Sequence, residues 1–301
     1  MRIGVDLGGT KIEAIAMAGN GDIAQRLRVA TPRGDYDATI RAISGLVSDV
    51  AQGLPLDLAV GIGIPGAVSP ATGLIKNANS TWLIGKAFDR DLEAAMRRPV
   101  RLANDADCFA LSESADGAGG GARSTFGVIL GTGVGGGLVV NGALLSGPNA
   151  IAGEWGHNPL PWPKTHELPG HQCYCGKSGC IETWLSGPAL EREAANNGIA
   201  KVSPAELAER ASKGETKAAA LLDQYLDRLA RSLATIINVI DPECIVLGGG
   251  LSSIQQIYDA VPNRWGQYVF SDAVKTKLLQ NKHGDSSGVR GAAWLWPETG
   301  D

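Results

Sequence analysis

One local pattern occurs twice in this chain and restricts the folds open to it. Residues 2–7 (Arg-Ile-Gly-Val-Asp-Leu) form an apolar run that ends around Asp6. The turn Gly8-Gly9-Thr10-Lys11 follows, and residues 12–18 alternate loosely as a returning strand. Roughly 125 residues later the order recurs, with an apolar run over Thr125–Leu130, the turn Gly131-Thr132-Gly133 and a return over Gly135–Val140. A repeated strand, glycine-threonine turn and strand predicts two similar halves made by internal duplication. The glycine-rich stretch 117–122 marks the boundary between them.

The remaining segments alternate in type. Ile40, Ile43, Leu46, Val47 and Val50 predict a helix from Asp35 to about Ala51. Leu58–Ile64 reads as a strand, a helix follows near Asp89–Arg98, and Val100–Ala103 is another strand. Asn104 is placed to cap a helix over about 105–116. Ser203-Pro-Ala-Glu206 has the form of a helix start. A long amphipathic helix over 215–240 should place Ala219, Leu222, Leu226, Leu229, Leu233 and Ile236 on one side. The strand Cys244–Leu247 runs into Gly248-Gly249-Gly250. A helix over about 252–265, a strand near 274–279 and a helix from about Gly288 to Trp296 follow. This alternation predicts an α/β fold, with residues 1–118 and 119–287 as its two domains.

Charge and hydropathy narrow the function. A net charge of −4 offers no basic face for general nucleic-acid binding. No run of 18 apolar residues is available for a membrane-spanning helix. Met1 leads directly into an apolar strand with no secretory pattern, so a cytoplasmic protein is expected.

Three glycine loops share a character: Gly8-Gly9-Thr10-Lys11, Gly131-Thr132-Gly133 and Gly248-Gly249-Gly250 each follow an apolar strand. Without Cβ atoms, such loops bring backbone N–H groups close to an anion, and threonine hydroxyls add donors. Neither Walker nor Rossmann spacing is present. The first two loops join strand to strand, which suits hairpins that pinch a phosphate tail. Asp6, polar at the end of an apolar strand, is a turn residue or a ligand for Mg²⁺.

His157, Cys173, Cys175 and Cys180 have the spacing H-x15-C-x-C-x4-C. One imidazole and three thiolates match the ligand preference of structural Zn²⁺. Disulfides fit poorly, because the five cysteines are an odd number and no secretory signal is seen. His166 and His171 compete with His157 as ligands. Acids flank this segment. Asn79, Asn104, Asp105, Glu154, His157 and Glu182 form a polar set of the kind a sugar needs. Asp105, where a strand meets a helix, is placed to take a proton from a hydroxyl.

Taken together, Asp6-Leu-Gly-Gly-Thr-Lys11, Asn104-Asp105, Gly131-Thr-Gly133, Gly153-Glu-Trp-Gly-His157 and the cysteine segment through Glu182 resemble the ROK family of sugar kinases, over essentially the whole chain. Lys76-Asn-Ala-Asn-Ser-Thr-Trp82, His157-Asn-Pro-Leu-Pro-Trp162 and the segment 282–296 look like bacterial fructokinases of the manno(fructo)kinase type. The resemblance implies an actin/hexokinase-like fold of two RNase H-like domains, with a last helix in 288–301 returning to the first. It implies ATP on the glycine loops with Gly248–Gly250 beside the adenosine, Mg²⁺ and structural Zn²⁺, and Asp105 as base for the sugar 6-hydroxyl. Asn104, Glu154, His157 and Glu182 would hold sugar hydroxyls, and His157 would serve zinc through one ring nitrogen and the sugar through the other. The expected substrate is D-fructose, possible mannose use included, and the expected assembly a homodimer. Kinases for glucose or N-acetylhexosamines share the same acids. A sugar-responsive repressor of the same family would carry a helix-turn-helix ahead of the first loop, for which the six residues up to Asp6 leave no room. A non-catalytic actin-like scaffold would not need the acids beside the cysteines.

Overall fold

The computed structural model describes residues 1–200 and 202–296; positions 297–301 of the expected last segment lie outside the described residues. Strands β1 (Arg2–Leu7), β2 (Lys11–Met17) and β3 (Ile23–Ala30) pair antiparallel. Helix α1 (Tyr36–Val50) leads to β4 (Val60–Ile64), which adds parallel to β1. A small ribbon of β5 (Ala67–Val68) and β6 (Ile75–Lys76) projects beyond it. Helix α2 (Phe88–Met96) then precedes β7 (Val100–Asn104), which adds parallel to β4. The first sheet has the order β3-β2-β1-β4-β7.

Helix α3 (Asp105–Ala115) crosses to the second sheet. There β8 (Ser124–Leu130), β9 (Val134–Val140) and β10 (Ala143–Leu144) are antiparallel. Helices α4 (Glu182–Leu185), α5 (Gly187–Asn196), α6 (Pro204–Ser212) and α7 (Thr216–Ile240) follow. Strand β11 (Cys244–Gly248), helix α8 (Gln256–Ala260), strand β12 (Lys277–Gln280) and helix α9 (Ser287–Trp294) complete the described chain. The order β10-β9-β8-β11-β12, with β11 parallel to β8 and β12 parallel to β11, repeats that of the first sheet. The duplication expected from the glycine turns is therefore present in the strand topology.

The central strands β4 and β11 are buried along their whole length, as apolar runs covered on both faces should be. The edge strand β3 is largely exposed, and its Arg26 and Arg28 pair with the buried Glu13 of β2. Charges on an edge discourage pairing with another chain.

Three expectations need correction. Ala218 rather than Ala219 faces the core from α7, and Ala219 is exposed. The helix expected over 252–265 is three short pieces. Ser252 and Ser253 hydroxyls donate back to Gly249 and Gly250 carbonyls at 2.7 and 2.8 Å, which tightens that turn, and Pro262 has no N–H to continue α8. The strand expected near 274–279 begins only at Lys277.

The crossing of α3 and α9 positions the site. Helix α9 lies directly on β1 and β4, because a Cβ on Gly61 would fall on the Ala292 carbonyl. At Gly291 of α9 a Cβ would collide with the Cys108 carbonyl of α3. The other side of α3 packs on the second sheet, where a Cβ on Gly137 would come 2.8 Å from Ala106 O and 2.9 Å from Ala110 Cβ. Helix α3 is thus wedged between the two halves, and its first residue is Asp105.

Candidate active site

Asn104 ends β7 and caps α3. Its Oδ1 accepts the Ala106 N–H at 2.8 Å, and Asp105 Oδ1 accepts the same N–H at 2.8 Å. Asn104 Nδ2 donates to the Gly66 carbonyl at 3.3 Å. The Asn104 amide is therefore engaged in holding the strand-to-helix corner. Asp105 keeps open surface on one side, yet the surrounding protein displaces enough water to raise its pKa. The Ala106 N–H opposes that rise, and the nearby Glu154 charge adds to it.

A cavity of about 510 Å³ opens beside this corner, lined by Asn104, Asp107, Glu154, Val68, Leu145 and Ala152 among others. Glu154 is exposed within it. Burial first, then the charges of Asp105 and Glu154, push Asp107 up to about 7. Asn79 is exposed and does not line this cavity. It follows Ala78, which packs where a Gly66 side chain would lie. A groove of similar volume, 540 Å³, lies at the opposite end of β8 and β11 beside Gly119–Gly121 and Arg123; it contains none of these acids.

Asp6 projects from the end of β1. A Cβ on Gly288, at the start of α9, would be 3.3 Å from its Oδ2. Burial, then Asp105 and Glu13, push Asp6 up to about 6, and Lys11 opposes them. Among the described residues no hydrogen bond satisfies the Asp6 carboxyl, so a divalent cation with its waters fits the position chemically. In the first glycine loop the Gly8 N–H donates to Lys11 O at 3.0 Å, and Gly9, Thr10 and Lys11 are exposed. In the second loop the Gly131 N–H donates to Gly133 O at 3.0 Å, and Thr132 is exposed. The third loop abuts the second. Gly249 has φ +80°, and a Cβ there would strike the Leu130 carbonyl, so only glycine suits that position. Gly248 packs against the ring of Phe109, and Gly250 is open.

Glu182 begins α4, two residues after the last cysteine. Its Oε2 accepts the Val134 N–H at 2.9 Å, at the exit of the second glycine loop. Upstream, Trp155 Nε1 donates to Gly135 O at 2.9 Å, which pins the segment carrying Glu154 to the same hairpin. Asp105, Glu154 and Glu182 are thus brought around one hairpin from three separate parts of the chain.

The imidazole of His157 and the sulfurs of Cys173, Cys175 and Cys180 present ligand atoms all within 4.8 Å of one another. Cys173 Sγ lies 3.6 Å from His157 Nδ1, and Cys175 Sγ lies 3.6 Å from Cys180 Sγ. Ligand atoms around a tetrahedral zinc with bonds of about 2.1 and 2.3 Å lie roughly 3.6–3.8 Å apart. The donor set and its spacing fit the ion, and none of the five cysteines is in a disulfide. His166 and His171 are not in the cluster. The second ring nitrogen of His157 has a neighbour that the sequence did not announce. Its Nε2 meets the Tyr174 hydroxyl at 2.9 Å, because Tyr174 lies in the turn between two of the cysteines with its ring edge-on to the imidazole.

The sequence profile of the ROK family matches residues 2–299. The chain belongs to the ROK family. An N-acetyl-D-glucosamine kinase of Photobacterium profundum is 40% identical over 299 residues, covering 98% of this chain and 99% of that one. One from Vibrio cholerae serotype O1 is also 40% identical with the same coverage. Among solved structures, a ROK hexokinase from Thermus thermophilus is 31% identical with TM-score 0.85, covering 97% of this chain and 96% of that one. A ROK family glucokinase from Streptomyces griseus, in complex with glucose and AMPPNP, is 27% identical with TM-score 0.76, covering 98% of each chain. The two-domain, hexokinase-like α/β fold expected from the sequence is that of this ROK protein.

Sequence reasoning missed several groups near this cavity and the cysteine segment. Asp107 carried a signal in its place two residues after Asp105, on the helix that starts at the corner. Tyr174 carried none beyond its position among the cysteines. A buried charge network was also missed: Arg231 and Arg228 of α7 bond Glu167, and Arg231 also donates to the Pro161 and Trp162 carbonyls at 2.8 and 2.7 Å. This network ties the segment between His157 and the cysteines to α7.

Proposed function

We propose that this protein is an ATP-dependent sugar kinase that transfers the γ-phosphoryl group to the 6-hydroxyl of a hexose. The observation that carries this reading is the location of Asp105. It stands at the start of the helix wedged between the two sheets, with Glu154 beside it and Asp6 within electrostatic reach. Asp105 accepts the hydroxyl proton as the oxygen attacks, and its raised pKa makes it a stronger base than an ordinary aspartate. The loops Gly8–Lys11 and Gly131–Gly133, with Thr10 and Thr132 exposed at their tips, hold the phosphates, and Gly248–Gly250 flank the nucleoside. Phosphoryl transfer depends chiefly on such positioning and charge stabilisation. Asp6 would hold Mg²⁺, which offsets phosphate charge when bound. His157, Cys173, Cys175 and Cys180 would hold a structural Zn²⁺ and so fix the segment between Glu154 and Glu182.

Glu154, Glu182, Asn104 and Asn79 orient the sugar in this scheme. Residues 1–118 with 288–301, and residues 119–287, are the units that close on it and exclude water. A homodimer is part of the same proposal, to be checked by light scattering.

Two sugars are in contention. N-acetyl-D-glucosamine is supported by the names of the relatives at 40% identity. D-fructose is supported by the segment 76–82, which resembles fructokinases and borders the site: Lys76 Nζ donates to Asn149 O at 2.9 Å, and Ala78 packs on Gly66, the partner of Asn104. A panel of N-acetyl-D-glucosamine, fructose, mannose and glucose with ATP and Mg²⁺, followed by ADP release, tests the proposal. The sugar with the highest kcat/KM is the substrate, and failure to phosphorylate any of them would overturn the kinase reading.

A further inference from the structure

We infer that Asp107 is a substrate-positioning residue that works as a neutral acid, donating a hydrogen bond from its cavity-facing oxygen to an oxygen of the bound sugar. This rests on the sugar-kinase reading above and extends it to a residue outside the expected set. Asp107 lines the 510 Å³ cavity shared with Asn104 and Glu154. Its Oδ1 is sealed from solvent and has no hydrogen-bond partner, so Oδ2 is the oxygen left to meet the cavity.

A carboxylate spreads its charge over both oxygens, and one that is dry and without a donor penalises the anion. Protonation on Oδ2 leaves only a carbonyl oxygen inside, at lower cost. The neighbours reinforce this. Asp105 on the same helix and Glu154 from the segment on β9 both place negative charge toward Asp107. Asp6 of β1 lies near the same helix and is also acidic. The one arginine lining the cavity, Arg101 of β7, is directed elsewhere, with its guanidinium over the Trp296 ring and NH1 donating to Leu295 O at 2.9 Å. Lys76 is held on the Asn149 carbonyl. Cys108 is buried and its thiol is pushed well up.

The acids around this corner raise one another's pKa through their charges. Geometry assigns the roles among them. Asp105 receives the Ala106 N–H at the start of α3, which favours its charged form and opposes the burial that raises its pKa. Asp107 has no such donor on Oδ1. The base therefore keeps its charge and Asp107 carries the proton. The sugar that fits has an acceptor oxygen, either hydroxyl or carbonyl, pointing at Asp107 and away from the reacting hydroxyl.

The test measures sugar KM and kcat separately from pH 5.5 to 9 in wild type, Asp107→Asn and Asp107→Ala, using the best sugar of the panel. In wild type, KM should rise above a pKa of about 7, approaching tenfold per pH unit, as the donor is lost. Asp107→Asn retains a donor and cannot ionise, so its KM should stay flat through that range. Asp107→Ala should raise KM about tenfold at pH 6, where wild type still donates. Thermal melts of wild type and both variants show that each is folded. A flat wild-type KM, an Asp107→Asn profile that follows wild type, or an unchanged KM in Asp107→Ala would overturn the assignment while sugar phosphorylation itself stands. Absence of turnover with every sugar would instead remove the kinase reading, and this inference with it.

Discussion

Glu182 Oε2 accepts the backbone N–H of Val134 at 2.9 Å, so the acid that follows the last cysteine is bonded to the strand leaving the second glycine loop. The segment proposed to orient the sugar is thereby joined to the loop proposed to hold phosphates. Glu182→Ala leaves a backbone donor without its partner, a loss of about 1–3 kcal/mol where the group stays dry. Steady-state kinetics of this variant should show higher KM for both sugar and ATP, and Glu182→Gln, which keeps an acceptor, should spare ATP more than sugar. An ATP KM unaffected in Glu182→Ala would show that the bond does not shape the loop.

Removing the proposed zinc should act through the same connection. Metal analysis should find one zinc per chain, lost in Cys180→Ser or after chelation. Sugar KM should then rise most, with a smaller rise for ATP. Full metal content in Cys180→Ser would remove that sulfur from the ligand set.

Asp105→Asn retains the Ala106 N–H acceptor and cannot take a proton. The expected outcome is a kcat lower by about 10²–10⁴-fold, from loss of general-base assistance, with a melting temperature at neutral pH no lower than that of wild type, because the raised Asp105 pKa costs stability there. Near wild-type turnover would dismiss Asp105 as the base.

Acid–base linkage predicts an unusual stability profile. Asp6 and Asp107 are raised to about 6 and about 7 from 3.8. Between the unfolded and folded values the native state binds more protons than the unfolded one, so their contribution to stability falls as pH rises from about 4 to 7. Asp107→Asn removes its share and should raise the melting temperature at pH 8 more than at pH 5. Melts at the two pH values that shift equally would contradict the raised pKa.

The charge network under the cysteine segment gives a stability test free of catalysis. Arg231 and Arg228 are almost wholly buried and both bond Glu167. Arg231→Ala leaves Glu167 short of a partner and frees the Pro161 and Trp162 carbonyls, a destabilisation of about 3–5 kcal/mol. Denaturant unfolding measures it, and a change below about 1 kcal/mol would mean that water takes over the role of Arg231.

Much of this architecture was legible before the coordinates, for definite reasons. The two hairpins announced themselves because glycine and threonine cluster where apolar strands stop. Asn104 was readable as a cap because its side chain serves the adjacent turn. The four metal-ligand candidates were readable because three of them sit within eight residues. What could not be read depends on distant partners. Asp107 looks like any acid in a first helical turn, and only the sealed Oδ1 distinguishes it. Arg228 and Arg231 look like a solvated helix face until the 158–172 segment covers them. The broken helix after Gly250 reflects two serine hydroxyls turning back on their own backbone, a local competition that apolar periodicity does not register.

The seating of α9 on Gly61 has a consequence for biosynthesis. Ile15 and Met17 of β2 share a buried cluster with Val289 and Ala293, so the first sheet has a covering helix that is translated after the whole second sheet. While the ribosome is still making the second sheet, that apolar face has no native cover. Nascent chains arrested before position 287 should therefore bind chaperones through the N-terminal half and let go once α9 emerges.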